Sequence, residues 1–257
     1  MIKRNRTIIK QKRTIILHYH LFKNAGSSLD KILQKNFNSK FLTKEFSKAK
    51  NKDTTEEVCN WIKENPDNIV FSTHSSFPLP VLDNVNIISV CFLRDPIDRI
   101  KSAYKFERKQ NVNNFSANLA KNVDFNEYVR VLQKKYGEGS QCRNFQTHKL
   151  SQIVPIHDNA FTNAIEALSR ITFVGLVEEF DKSMKVLSNK LKNHFPDFVY
   201  EYNHSNKSSS IPIEIPQYLN QILVESNRYD LELLKTFYRS INLEFEYIFD
   251  LSEIINF

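Results

Sequence analysis

The chain has 257 residues, 41% of them hydrophobic, 12% aromatic and 25% charged. A folded chain of this size buries enough surface to need no disulfide or metal staple. Its 36 basic and 29 acidic residues leave a net charge of +7, which suits an anionic partner without choosing among nucleotide, acidic glycan, nucleic acid and membrane surface. Cys59, Cys91 and Cys142 are odd in number and lack ligand spacing, so neither a metal site nor a disulfide framework is expected. No apolar run approaches the ~20 residues that span a bilayer, and no secretory signal is read at the N-terminus. The expectation is one cytoplasmic domain over residues 1–257, with residues 1–13 forming a basic arm.

Residues 14–20 (TIILHYH) are β-branched and apolar and read as the first strand. The loop Lys23-Asn-Ala-Gly-Ser-Ser28 follows, and then apolar residues at helical spacing from Leu29. Ser27 or Ser28 is expected in the first turn of that helix. Residues 39–54 are polar and Lys-rich and read as an exposed helix or loop, and residues 55–63 as a helix. Residues 69–72 are a second strand, leading to His74, and the apolar run 86–93 is a strand buried on both faces. Pro96 then suits the first turn of a helix through Phe106. Further helices are expected near 125–135, 162–169, 181–194 and 215–238, with a strand at 171–175 and a polar, Ser-rich loop at 203–210. Strands alternating with helices predict an α/β fold of three layers, P-loop-like, with a mostly parallel central sheet and helices on both faces.

Two stretches carry chemistry. Free N–H groups and the helix dipole make a helix N-terminus attractive to an anion. Asn24, Ala25, Gly26, Ser27 and Ser28 supply that terminus, and Lys23 adds a point charge. The spacing is not that of a Walker A loop, and an ordinary Ser-capped helix is the competing explanation. In the second stretch Arg94 ends a buried strand and can fork onto a phosphate, with Ser102 two helical turns on; the alternative is Arg94 paired structurally with Asp95 or Asp98. Two anion sites beyond the carboxyl ends of parallel strands suit a ligand with phosphates at both ends.

The segment His20-Leu-Phe-Lys-Asn-Ala-Gly-Ser-Ser-Leu29 resembles the 5′-phosphosulfate loop of the carbohydrate sulfotransferases, H-x-P-K-T-G-G-T-S. The group of the heparan sulfate 2-O- and 6-O-sulfotransferases and their bacterial relatives is the nearest likeness. Residues 94–104 are similar to that family's 3′-phosphate motif, R-D-P-x-x-R-x-x-S-x-Y. Asn144-Phe-Gln-Thr147 resembles its N-x-Q-T element, and residues 173–181 its F-V-G-L-x-E-x-F-D. The resemblance implies a single sulfotransferase domain that takes PAPS as donor and releases PAP. Lys23 would meet the bridging oxygen, residues 24–28 the 5′ phosphosulfate, and Arg94 and Ser102 the 3′ phosphate. Lys207 and Ser208 would be further donors from a loop over the nucleotide. The acceptor would be a glycan or another hydroxyl compound, with no nucleic acid and no metal required. His74 is the candidate general base, and His20 is read as ordering the loop. Phe22, Asn24 and Ala25 depart from the family pattern, and Ala25 requires a backbone that is not strongly left-handed. Two other readings compete: a nucleotide-dependent kinase with a degenerate phosphate loop, and a non-catalytic binder of acidic glycan or nucleic acid.

Overall fold

The computed structural model describes residues 12–46, 53–75, 78–201 and 213–244. Most of the basic arm, along with Lys207 and Ser208, therefore lies outside the described residues. Among those described, no helix is long and apolar enough to cross a membrane.

Five parallel strands form the sheet: β1 (Arg13–Tyr19), β2 (Phe41–Thr43), β3 (Val70–Thr73), β4 (Val85–Leu93) and β5 (Phe173–Leu176), in the order β2-β3-β1-β4-β5. Strand alternation sorts the core into two layers. Ile15, Leu17 and Tyr19 of β1 face one side, with Phe71, Cys91 and Leu93, and are covered by α2 (Thr55–Glu64), α6 (Phe145–Ser151), α7 (Ala160–Arg170) and α10 (Arg228–Glu244). Ile16, Val70, Ile88, Val90 and Phe92 face the other side, under α1 (Gly26–Phe37) and α8 (Phe180–Lys192). Leu29 and Leu33 anchor α1 there, both fully buried, and each contributes about 1.5–3 kcal/mol. The three-layer parallel architecture is as the strand–helix alternation predicts.

A third cluster sits beside the sheet. In it α3 (Pro96–Lys109), α4 (Phe115–Asn122), α5 (Phe125–Lys135) and α9 (Gln217–Ser226) pack through Ile100, Tyr104, Tyr128, Leu132 and Leu223.

The structure departs from the expected elements in two places that matter for the site. Residues 39–54 contain the short strand β2, which extends the sheet past β3. The helix expected at 215–238 is two helices, α9 and α10, broken at Asn227. Asn227 is fully buried; its side chain accepts from the Asn144 amide and donates to the Cys142 and Leu223 carbonyls. The side chain thus spends its donors and acceptor on tertiary partners that a helical pattern in sequence does not reveal.

Candidate active site

The sheet order places a crevice between β1 and β4, whose connections leave in opposite directions, and the two stretches read from the sequence as anion sites meet there. Lys23 and Ala25 both have positive φ, 64° and 58°, on either side of Asn24. Alternation of this kind turns successive N–H groups towards one point, a concavity for an anion. A non-glycine residue in this conformation costs about 1–2 kcal/mol. Ala25 is therefore left-handed, contrary to the requirement drawn from the sequence, and the loop stores strain where the anion would sit. Ser27 and Ser28 lie within the first turn, as expected, while Ala25 occupies the cap position with no side-chain hydrogen bond, so the competing picture of a Ser-capped helix does not apply.

Asn24 shows how the loop is held. It is buried, and its amide donates to the Phe92 carbonyl at 2.7 Å and to Gln146 Oε1 at 2.7 Å. Gln146 also accepts from the Arg94 amide and donates to the Arg94 carbonyl. One buried glutamine thus ties the phosphate loop to the end of β4. Asp230 of α10 in turn accepts from the Gln146 and Thr147 amides at the start of α6. The N-x-Q-T element accordingly has a structural task.

Arg94 donates through Nη1 to the Lys23 carbonyl at 3.1 Å. Its Nε–H is buried and has no acceptor among the described residues. The alternative pairing with Asp95 or Asp98 does not occur among the hydrogen bonds seen: Asp95 caps α3 by accepting from the Asp98 amide, and Asp98 pairs with Lys101. Glu178, just beyond β5, accepts from the Asp95 amide; burial raises both carboxyls above their ordinary range. The Lys23 ammonium lies 4.3 Å from the Phe106 ring centroid on α3, and Phe22 meets the same ring edge-on. Burial, and next the charge of Arg94, lower the Lys23 pKa from its ordinary value. Ser102 is half-buried on α3, one turn before Phe106 on the same face.

Strand register builds the other half of the site. Tyr19 pairs with Thr73 and Thr43 with Ser72. Continuing each strand brings His20, His74 and Glu45 side by side at the carboxyl edge. The His20 and His74 ring centroids are 4.0 Å apart. His74 Nδ1 lies 2.6 Å from Glu45 Oε1, and both residues are half-exposed. Burial raises the Glu45 pKa, but the hydrogen bonds and charge of His74 outweigh it and the net shift is downward. An ionised carboxylate only accepts, so His74 Nδ1 carries the proton and Nε2 is left to take another. Glu45 went unread in the sequence because its strand is three residues long in a Lys-rich stretch. The spacing of two residues beyond a paired strand end is the signal that finds it.

His20 does order the loop. A Cβ at Gly26 would stand 2.0 Å from His20 Cδ2, so this glycine makes room for an imidazole as well as for an anion. Gly26→Ala is expected to push the ring aside and destabilise the fold by about 1–3 kcal/mol. A melting temperature equal to that of the wild type would refute the packing argument. A separate concavity of about 340 Å³ lies between α5 and α9, lined by residues including Asp124, Arg130, Tyr218 and Ile222. It draws on no strand end and holds none of the groups above.

A family model described as the sulfotransferase family matches residues 6–238. The chain belongs to that family. A protein of Archaeoglobus fulgidus, described as an uncharacterized protein, is 37% identical over 212 residues, covering 79% of this chain and 83% of the relative. Sulfuryl transfer is the chemistry the family shares.

Proposed function

We propose that the whole chain acts as one domain that moves a sulfuryl group from PAPS to a hydroxyl of a glycan, in a cytoplasmic setting that suits its three free cysteines. The observation that carries this reading is the junction of Lys23 and Arg94. Two cationic residues from neighbouring strand ends meet in one crevice, and the buried Arg94 Nε–H has no acceptor among the described residues. An anionic ligand satisfies that orphan donor, so the residues fit a nucleotide carrying phosphate at both ends. The likeness to the heparan sulfate 2-O- and 6-O-sulfotransferase group supports a glycan acceptor.

PAPS, when bound, supplies a sulfuryl group attached to a phosphate that can leave. Residues 24–28 would hold the 5′ end through backbone N–H groups, and Arg94 and Ser102 the 3′ phosphate, with Lys207 and Ser208 as further donors. Lys23 would swing from Phe106 to the bridging oxygen and meet the charge that develops there. His74 Nε2 would take the acceptor hydroxyl's proton while Glu45 holds Nδ1 and stabilises the imidazolium. Positioning and electrostatics supply the catalysis.

The test is calorimetric binding of PAP together with incubation of the protein with labelled PAPS and a panel of glycans, lipids and phenols. Binding of PAP and label on a glycan are expected. No PAP binding and no transfer to any acceptor would overturn the reading.

A further inference from the structure

The base candidate does not stand alone. His20 lies along the first turn of α1, between Gly26 and Asp30, and its Nδ1 is 2.8 Å from Asp30 Oδ2. His18, fully buried on β1, places its own Nδ1 2.7 Å from Asp30 Oδ1 and 3.1 Å from Ser72 Oγ. One carboxylate therefore spans two imidazoles, one oxygen for each. The rings stack in a column, with centroids 5.2 Å apart between His18 and His20 and 4.0 Å between His20 and His74. Separations of 2.7 and 2.8 Å are those of charge-assisted hydrogen bonds. Two ligands of a tetrahedral zinc, each about 2.0–2.2 Å from the metal, would stand farther apart.

We propose that Asp30 is a positioning residue for the base: it locks His20 as the platform against which the His74 ring packs. The inference rests on the sulfotransfer reading for what the column is for, and deepens it by naming what holds the base.

The argument is electrostatic and geometric. Ionised Asp30 only accepts, so both of its histidines present Nδ1–H to it and cannot rotate without losing that bond. Burial raises the Asp30 pKa, but the hydrogen bonds of His18 and His20 outweigh it and hold the carboxyl below its ordinary range, so it stays ionised at neutral pH. The His74 ring, with its centroid 4.0 Å from that of His20, thus packs on a ring that cannot turn. Among the described residues, the charged and titratable groups seen about the column are Asp30 from α1, His18 from β1, Glu45 beyond β2 and, across from Glu45, Lys149 of α6. The Ser72 hydroxyl bonds with His18, and the Ser75 hydroxyl donates to Glu45.

The test reads the histidine side-chain ¹⁵N signals of the protein without ligands for wild type, Asp30→Asn and His20→Phe, beside turnover with labelled PAPS. In wild type His18 and His20 should both carry their proton on Nδ1, and Asp30→Asn, which has one acceptor oxygen instead of two, should release one of the rings. Asp30→Asn should lower kcat at least about tenfold with PAP binding unchanged. His20→Phe keeps a ring but not the bond to Asp30, and its kcat should fall by a similar factor; the double variant should be no slower than either single one. A merely structural Asp30 would lower thermal stability and leave the kcat of the folded variant in place.

Full kcat in an Asp30→Asn protein that still melts cooperatively, or additive losses in the double variant, overturns the inference. Stoichiometric zinc bound by wild type and lost in Asp30→Asn also overturns it. If Asp30→Asn fails to fold, His20→Phe decides. The ¹⁵N signals need no substrate, so a bare Nδ1 on His20 in an active enzyme sinks this inference alone, whereas protonated Nδ1 on both rings without label transfer sinks the sulfotransfer reading alone.

Discussion

Lys23→Ala is expected to slow sulfuryl transfer by about 10²–10³-fold, the loss of roughly 2.7–4 kcal/mol that follows removal of one group aimed at developing charge. The fold should survive. The ammonium of Lys23 rests over Phe106, which is 41% exposed, and a cation–π contact at such a site is worth about 0.5–1 kcal/mol. The loop's shape is held elsewhere, by Asn24 on Gln146 and the Phe92 carbonyl and by Arg94 on the Lys23 carbonyl, a backbone atom the substitution keeps. Rate and stability should thus separate: label transfer collapses while the melting temperature moves little. The lowered pKa of Lys23 adds a second signature. Its charge is lost at lower pH than that of an ordinary lysine, so the rate should fall on the basic side earlier than a solvent-exposed lysine would dictate. Lys23→Arg should abolish that limb, because a guanidinium stays protonated throughout. Wild-type turnover by Lys23→Ala would remove Lys23 from the mechanism and leave the kinase and binding-protein readings to account for the crevice.

The sequence reveals more of this half of the site than of the other. Lys23, Gly26 and Arg94 sit at strand-to-helix junctions, and the strands concerned are long, apolar and buried on both faces, so local pattern alone places them. Glu45 is different. β2 is three residues long, and its pairing with β3 (Phe41 with Val70, Leu42 with Phe71) is a tertiary fact that no periodicity records. Gln146 is hidden for a related reason, since α6 has only seven residues, too few to show a helical repeat. The kink at Asn227 and the role of Asp230 depend on side chains bonding across 83 or 84 positions of sequence. Ala25 marks the opposite limit. Its left-handed backbone runs against its residue type, and only the surrounding hydrogen bonds impose it. The Lys207 and Ser208 donors lie outside the described residues and stay with the family resemblance.

His74→Ala should lower kcat by about 10²–10⁴-fold, the range a positioned general base contributes, while PAP binds as tightly as to the wild type. The separation follows from the architecture. The residues proposed to hold the nucleotide come from the junctions after β1 and β4, whereas His74 follows β3 and pairs with Glu45 beyond β2. His74 is 47% exposed, and truncating a half-exposed side chain outside the core changes stability by about 0.5 kcal/mol or less. Glu45→Gln gives the finer reading. Glutamine can still accept the Nδ1–H but carries no charge, so orientation survives and stabilisation of the imidazolium does not. Its loss in kcat should be smaller than that of His74→Ala. Pre-steady-state transfer of label from bound PAPS, measured across pH for both variants, checks each part. Full activity in His74→Ala would move the base to another group on this edge, and the register of β1 with β3 makes His20 the first to examine.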